Sequence, residues 1–128
     1  MIKLIKIDGA KETAGHYSPA TKAGNIICIS GQLPIDPYTG EKCTGGIKEQ
    51  TQQVLKNIDI ILQAAKADKN DIMKVTVYVS DISFWGGVNE VYAQYFGSHK
   101  PARIVVPVNS LNYGCLLEME AMAYKEEE

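Results

Sequence analysis

Apolar and polar residues alternate along this chain with two different periods, and the switches between them mark out the secondary structure. Ile2 to Ile7 places Ile and Leu against Lys at every second position, the pattern of a first strand. Asn25 to Ser30 is a nearly continuous apolar run ended by Gly31 and predicts a buried strand. From Ile47 to Ala65 the period changes: Val54, Leu55, Ile58, Ile61, Leu62 and Ala65 form one helical stripe, with Gln50, Gln53, Lys56, Asn57 and Gln63 opposite. Asp68 to Asp71 breaks that helix. Met73 to Ser80 then alternates Val75, Val77 and Val79 against Lys74, Thr76 and Tyr78, a strand with one apolar face.

A second helix is predicted after Ser83, a suitable N-cap, with Phe84, Val88, Val91, Tyr92 and Tyr95 on its buried side. Gly86 and Gly87 lie inside it and each costs about 1 kcal/mol relative to Ala. Gly97 ends it. Arg103 to Val108 and Leu116 to Tyr124 are the last strands, expected to pair through the Asn109–Gly114 turn. The order β-β-α-β-α-β-β predicts an α+β fold: one mixed sheet with both helices on one face. The sheet's other face would carry Tyr78, Met122 and Tyr124, and a partly apolar face left open predicts a homo-oligomer.

Composition bounds the rest. The 128 residues suit one domain spanning 1–128, and 45% apolar with 22% charged residues is ordinary globular composition. A net charge of -2 and no Lys/Arg run weigh against nucleic acid as a partner. No segment approaches the ~20 apolar residues of a membrane span. Cys28, Cys43 and Cys115, odd in number and widely spaced, read as reduced core thiols of a cytoplasmic protein, Cys115 being the one with a chance of exposure beside its turn glycine. The terminal Lys125–Glu128 reads as a solvated end.

The chemistry-bearing candidates are few. Arg103 and Glu118 flank the expected final hairpin, where they would form either a surface ion pair or a binding pair. A guanidinium fork grips a carboxylate through two parallel charge-assisted hydrogen bonds, and an adjacent acid can take a proton from water. Tyr17 lies in an irregular stretch, Gly15-His16-Tyr17-Ser18-Pro19, as a half-buried loop residue or a phenol entering a cleft. His16 and His99 are the only histidines, and no HExxH, CxxC or GxSxG motif occurs, so neither a metal nor a serine nucleophile is expected.

Taken in order, these segments resemble the RidA/YjgF family of small trimeric proteins. Gly15-His16-Tyr17-Ser18-Pro19-Ala20 is similar to its GPYSQA segment, and Asn25 to Asp36 to its SGQ-P-D strand and turn. Gly45-Gly46-Ile47 with Val54-Leu55-Lys56-Asn57 resembles the start of its long helix. Lys74 to Asp81, Val88 to Tyr92, Pro101-Ala102-Arg103 and Leu117 to Ala121 resemble the remaining signatures, so the likeness runs almost end to end. It implies a chorismate-mutase-like fold in a trimeric barrel, with small carboxylates bound in clefts between subunits of a homotrimer.

The resemblance also implies an activity: cofactor-free hydrolysis of reactive 2-imino acids (2-iminopropanoate, 2-iminobutanoate) and their enamine tautomers to 2-oxo acids and ammonia. Arg103 matches the carboxylate clamp, Glu118 the acid that orients water, and Tyr17 the cleft tyrosine. Ser30 and Gly31 match the cleft wall, Asn89 a helix position near it, and the backbone near Val105 the contact to the imine nitrogen. Two departures stand out. Ile104-Val105-Val106 replaces a segment close to SCVEV, removing a thiol and making the pocket more apolar, and His16 replaces a proline. Two other functions compete: a carboxylate-sensing regulatory module without turnover, and an endoribonuclease. Keeping both Arg103 and Glu118 favours the enzyme, because a sensor needs only the arginine.

Overall fold

In a computed structural model, which describes residues 1–126, the chain folds into six strands and two long helices. They are β1 (Lys3–Ile5), β2 (Ala20–Ala23), β3 (Ile26–Gln32), α1 (Ile47–Ala64), β4 (Ile72–Val79), α2 (Trp85–Phe96), β5 (Ala102–Pro107) and β6 (Leu117–Tyr124). All eight belong to one sheet-and-helix layer pair, in the strand order β1-β2-β3-β6-β4-β5. Every pairing is antiparallel except β4 with β5, whose crossover is α2. The α+β class and the mixed sheet are as expected. Glu127 and Glu128 of the acidic end lie outside the described residues; Lys125 donates its N–H to the Asn25 carbonyl at 2.8 Å.

Two expectations need correcting. Ala20–Ala23 is an additional strand, paired with both β1 and β3. Its four residues, Ala-Thr-Lys-Ala, are too short and too small to show a period. The last two strands are not neighbours: β4 lies between them, with Val79 opposite both Pro107 and Leu117. The Asn109–Gly114 stretch is therefore a connection across a strand rather than a hairpin turn.

The core forms where the alternating strands meet the helical stripes. Val75, Val77 and Val79 of β4, Leu117, Met119 and Ala123 of β6, and Ile27 of β3 are almost fully buried beneath Val54, Ile58, Ile61 and Leu62 of α1. Each large aliphatic side chain so buried contributes about 1.5–3 kcal/mol. On α2, Val88, Val91, Tyr92 and Phe96 complete the seal. Gly87 is explained by this packing, since a Cβ there would meet Ile47 Cγ2 at 2.6 Å. The helix starts at Trp85, later than expected: its N-cap is Phe84, which makes no side-chain cap bond, and Asp81 instead caps the short 3-10 turn Ile82–Phe84 ahead of it by accepting from the Ser83 N–H.

The opposite sheet face carries Cys28 and Ser30 of β3, Thr76 and Tyr78 of β4, Ile104 of β5, and Glu118, Glu120, Met122 and Tyr124 of β6. No element of the described chain covers it. Ile104 is 53% exposed and Tyr124 43%.

Candidate functional site

Arg103 stands on β5, the last strand of the sheet, directly across from Val75 and therefore on the side facing the helices. The stripe Trp85, Asn89, Tyr92 of α2 has spacings of four and three, which align the three side chains along one helix face. Arg103 lies against all of them. Its Nη1 donates to Asn89 Oδ1 at 2.9 Å, and its guanidinium carbon is 4.8 Å from the Tyr92 ring centre and 5.7 Å from that of Trp85. Cation–π contacts of this kind contribute about 0.5–2 kcal/mol each. Together with the Asn89 bond they hold a five-donor fork in one orientation, with donors left to meet a carboxylate. Val105, two residues on, packs against the core from the same side.

Tyr92 is 6% exposed, and its hydroxyl is buried without a hydrogen-bond partner. Burial pushes its pKa up to about 12, with the Arg103 charge opposing the rise. The phenol is thus neutral throughout the physiological range, an uncharged ledge under the cation.

A second group of residues gathers on the open face. The β3 ladder to β6 is interrupted between Ile29 and Gln32, an irregularity that contains Ser30 and Gly31. Ser30 Oγ donates to the Ser18 carbonyl at 2.6 Å, and the Ser30 N–H donates to the Pro19 carbonyl at 3.0 Å. These bonds fasten the loop bearing Tyr17, a residue that is 54% exposed, to the irregular stretch. Gly31 lies under Glu118: a Cβ added there would stand 2.7 Å from Glu118 Oε2. Irregular strand pairing of this sort recurs beside active sites because it re-aims side chains. The Glu118 pKa is raised, first by partial burial and then by the Glu120 charge beside it, so this carboxylate gives up its proton less readily than an ordinary one.

The seven residues singled out from sequence therefore fall into two sets. Arg103, Asn89 and Val105 gather on the helix side at the β5 edge; Ser30, Gly31, Glu118 and the Tyr17 loop gather on the open face. Arg103 and Glu118 do not meet within the chain, because β4 separates their strands and they point to opposite faces. Among the described residues neither forms an ion pair with the other. Sequence reasoning missed Trp85 and overlooked Tyr92 as more than core. The signal was present: a lone Trp at the start of a helix, four and seven residues before Asn89 and Tyr92, shares their face.

Comparison with known proteins gives a consistent picture. The family described as Endoribonuclease L-PSP matches residues 8–125. A RutC family protein of Pyrococcus horikoshii is 52% identical over 98% of this chain and 100% of its own. The human 2-iminobutanoate/2-iminopropanoate deaminase is 40% identical over 94% of this chain and 88% of its own. Among solved structures, yeast Mmf1 superposes with a TM-score of 0.92 at 36% identity, covering 98% of this chain and 100% of that one. RidA from the Antarctic bacterium Psychrobacter does so at 0.89 and 39%, covering 95% and 98%.

Proposed function

Because this chain belongs to the Endoribonuclease L-PSP (RidA/YjgF) family, we propose that it hydrolyses small 2-imino acids to 2-oxo acids and ammonia, in clefts that two copies of the chain build together. The observation that carries this reading is the division of the site into a cation half and an acid half on opposite faces of one sheet. Arg103 stands at an outer strand of the sheet, and Glu118 on the face that no helix covers. When the open face of one copy packs against the β5 edge of another, the two halves come to one cleft. Three copies closing in a ring satisfy every such face, and a homotrimer is the assembly proposed.

The chemistry follows from the parts. Arg103, held by Asn89 and stacked on Tyr92, takes the substrate carboxylate in a two-point grip and so fixes the adjacent C=N carbon. The backbone of β5 near Val105, at the edge of the sheet, receives the imine nitrogen. Glu118 of the neighbouring copy accepts a proton from water as its oxygen adds to that carbon, then returns it to nitrogen. The hydroxyl proton of the carbinolamine then passes through Glu118 to the nitrogen, the C–N bond breaks as the C=O bond forms, and ammonia and the 2-oxo acid are released. Atoms balance with one water consumed. Tyr17 closes the cleft from the loop tied to Ser30.

The choice of substrate is supported by the mouse, rat and human 2-iminobutanoate/2-iminopropanoate deaminases, each 40% identical to this chain. A coupled assay tests the proposal: a dehydratase generates 2-iminobutanoate from threonine, and semicarbazide traps what escapes hydrolysis. Wild-type protein is expected to lower the trapped amount and Arg103→Ala to leave it high. An unchanged trapped amount with wild type removes the deaminase reading, and full activity in Arg103→Ala removes the role given to Arg103.

A further inference from the structure

The three cysteines, expected to be core thiols, occupy three different settings. Cys28 is exposed on the open sheet face, Cys43 is half-buried, and Cys115 is buried at 1% exposure. Cys43 and Cys115 are 72 residues apart in sequence but lie in two segments fastened together at both ends. At one end Lys42 Nζ donates to the Tyr113 carbonyl at 2.6 Å. At the other, the buried Gln50 bridges the segments: its Nε2 donates to the Gly45 carbonyl at 2.8 Å, and its Oε1 accepts from the Leu116 N–H at 2.9 Å. Cys43 therefore falls within 42–45 and Cys115 within 113–116, between two ties. Tyr113, at φ 60°, turns the chain sharply just before Cys115. Burial raises the Cys115 thiol pKa above its ordinary value, and the Lys42 charge opposes the rise. Among the described residues no three His, Cys, Asp or Glu converge as a metal ligand set, so the pair lacks the further ligands that a structural metal site needs.

We propose that Cys43 and Cys115 are a modification site, a thiol pair that peroxide converts to an intrachain disulfide. The more accessible Cys43 reacts first: its sulfur takes one peroxide oxygen, giving a sulfenic acid, and one water leaves. The Cys115 sulfur then attacks the Cys43 sulfur; the S–S bond forms, the S–O bond breaks, and the departing hydroxide leaves as water with the Cys115 proton. The two thiols lose two electrons together and the peroxide gains them. A dithiol reductant reverses the change. The bond would fasten the loop before α1 to the start of β6, three residues ahead of Glu118. The proposal concerns covalent chemistry and stands whether or not the chain hydrolyses imines.

The test is a count of thiols in the intact protein. Native protein is treated with hydrogen peroxide, then denatured in N-ethylmaleimide and weighed. The expected product carries one maleimide, on Cys28, and yields a peptide pair joining Cys43 to Cys115; dithiothreitol before labelling restores three. In Cys28→Ser protein the oxidised form should also melt at a higher temperature than the reduced form, because the closed loop restricts the unfolded chain. Cys43→Ser should keep both remaining thiols after the same treatment, and it leaves the buried Cys115 in place, so misfolding does not obscure the result. Three maleimides after peroxide, oxygen added to Cys43 with no linked peptide, or links only between chains through Cys28 would each overturn the proposal.

Discussion

At the scale of single residues, the arginine site is a case of a cation shaped by what lies beneath it. The Tyr92 ring supports the guanidinium, while its hydroxyl is buried with no partner. Removing that oxygen keeps the ring and relieves an unpaired polar group, which in a buried setting costs about 1–3 kcal/mol. Tyr92→Phe is therefore expected to leave the urea midpoint unchanged or higher, whereas Tyr92→Leu, which loses the aromatic face, should lower both stability and substrate affinity. Glu118 invites a pH experiment. Its pKa is raised in the fold, so the folded state favours the protonated acid: the contribution to stability is present below the unfolded pKa and is lost as pH rises through the folded one. As a base it must be ionised, so kcat/KM should fall off on the acid side at a pH above the ordinary carboxylate value of about 4.3. Glu120→Gln removes the neighbouring charge and should move that limb toward lower pH. Arg103 and Glu118 were legible from sequence because few residue types grip a carboxylate or move a proton. The Trp85 and Tyr92 supports were not, because aromatic residues on an apolar stripe look the same whether they face a core or a cation.

At the scale of elements, the polar residues buried on α1 organise the loop that precedes it. Asn57 is 2% exposed and donates from Nδ2 to the Leu33 and Ile35 carbonyls at 3.1 and 2.8 Å. Gln53 in turn donates to its Oδ1 at 2.8 Å. Asn57→Leu fills a similar volume but takes the Asn57 donor from the Ile35 carbonyl and leaves Leu33 with only the Ile35 N–H at 2.7 Å, and a loss of about 1–3 kcal/mol in unfolding free energy is expected by denaturant titration. In the sequence Asn57 reads as part of the helix's polar side, and only the folded-back loop shows why it is inside. The same limit explains the strands. Helix α1 and strand β4 were plain in their periods, since long elements with one buried face write a long signal. Strand β2 has four residues and no such signal. That β4 separates β5 from β6 depends on how the connection after β5 crosses the sheet, which adjacency in sequence does not reveal. The class of fold followed from the pattern; the order of the last three strands did not, and with it went the expected closeness of Arg103 and Glu118.

At the scale of the whole molecule, the sheet has one face sealed by helices and one on which Cys28, Ile104, Met122 and Tyr124 sit among polar residues. A partly apolar patch of this kind is the ground for proposing that copies of the chain associate through it. Sedimentation at micromolar concentration is expected to give a particle of several chains rather than the 14.0 kDa of one. Mass alone does not say that the copies share a site, but mixing does. Chains carrying Arg103→Ala keep the acid half, and chains carrying Glu118→Gln keep the cation half. Each alone should be inactive. Unfolded together in equal amounts and refolded, they should form mixed rings in which some clefts receive both intact halves, and for random closed trimers about a quarter of all clefts do so. Activity recovered to about that fraction of wild type identifies a cleft built from two copies. Recovery of none, in a mixture shown to have exchanged subunits, would mean that both halves must come from one chain. The separation of Arg103 and Glu118 across the sheet argues against that outcome, since no movement short of unpairing β4 brings them together in a single copy.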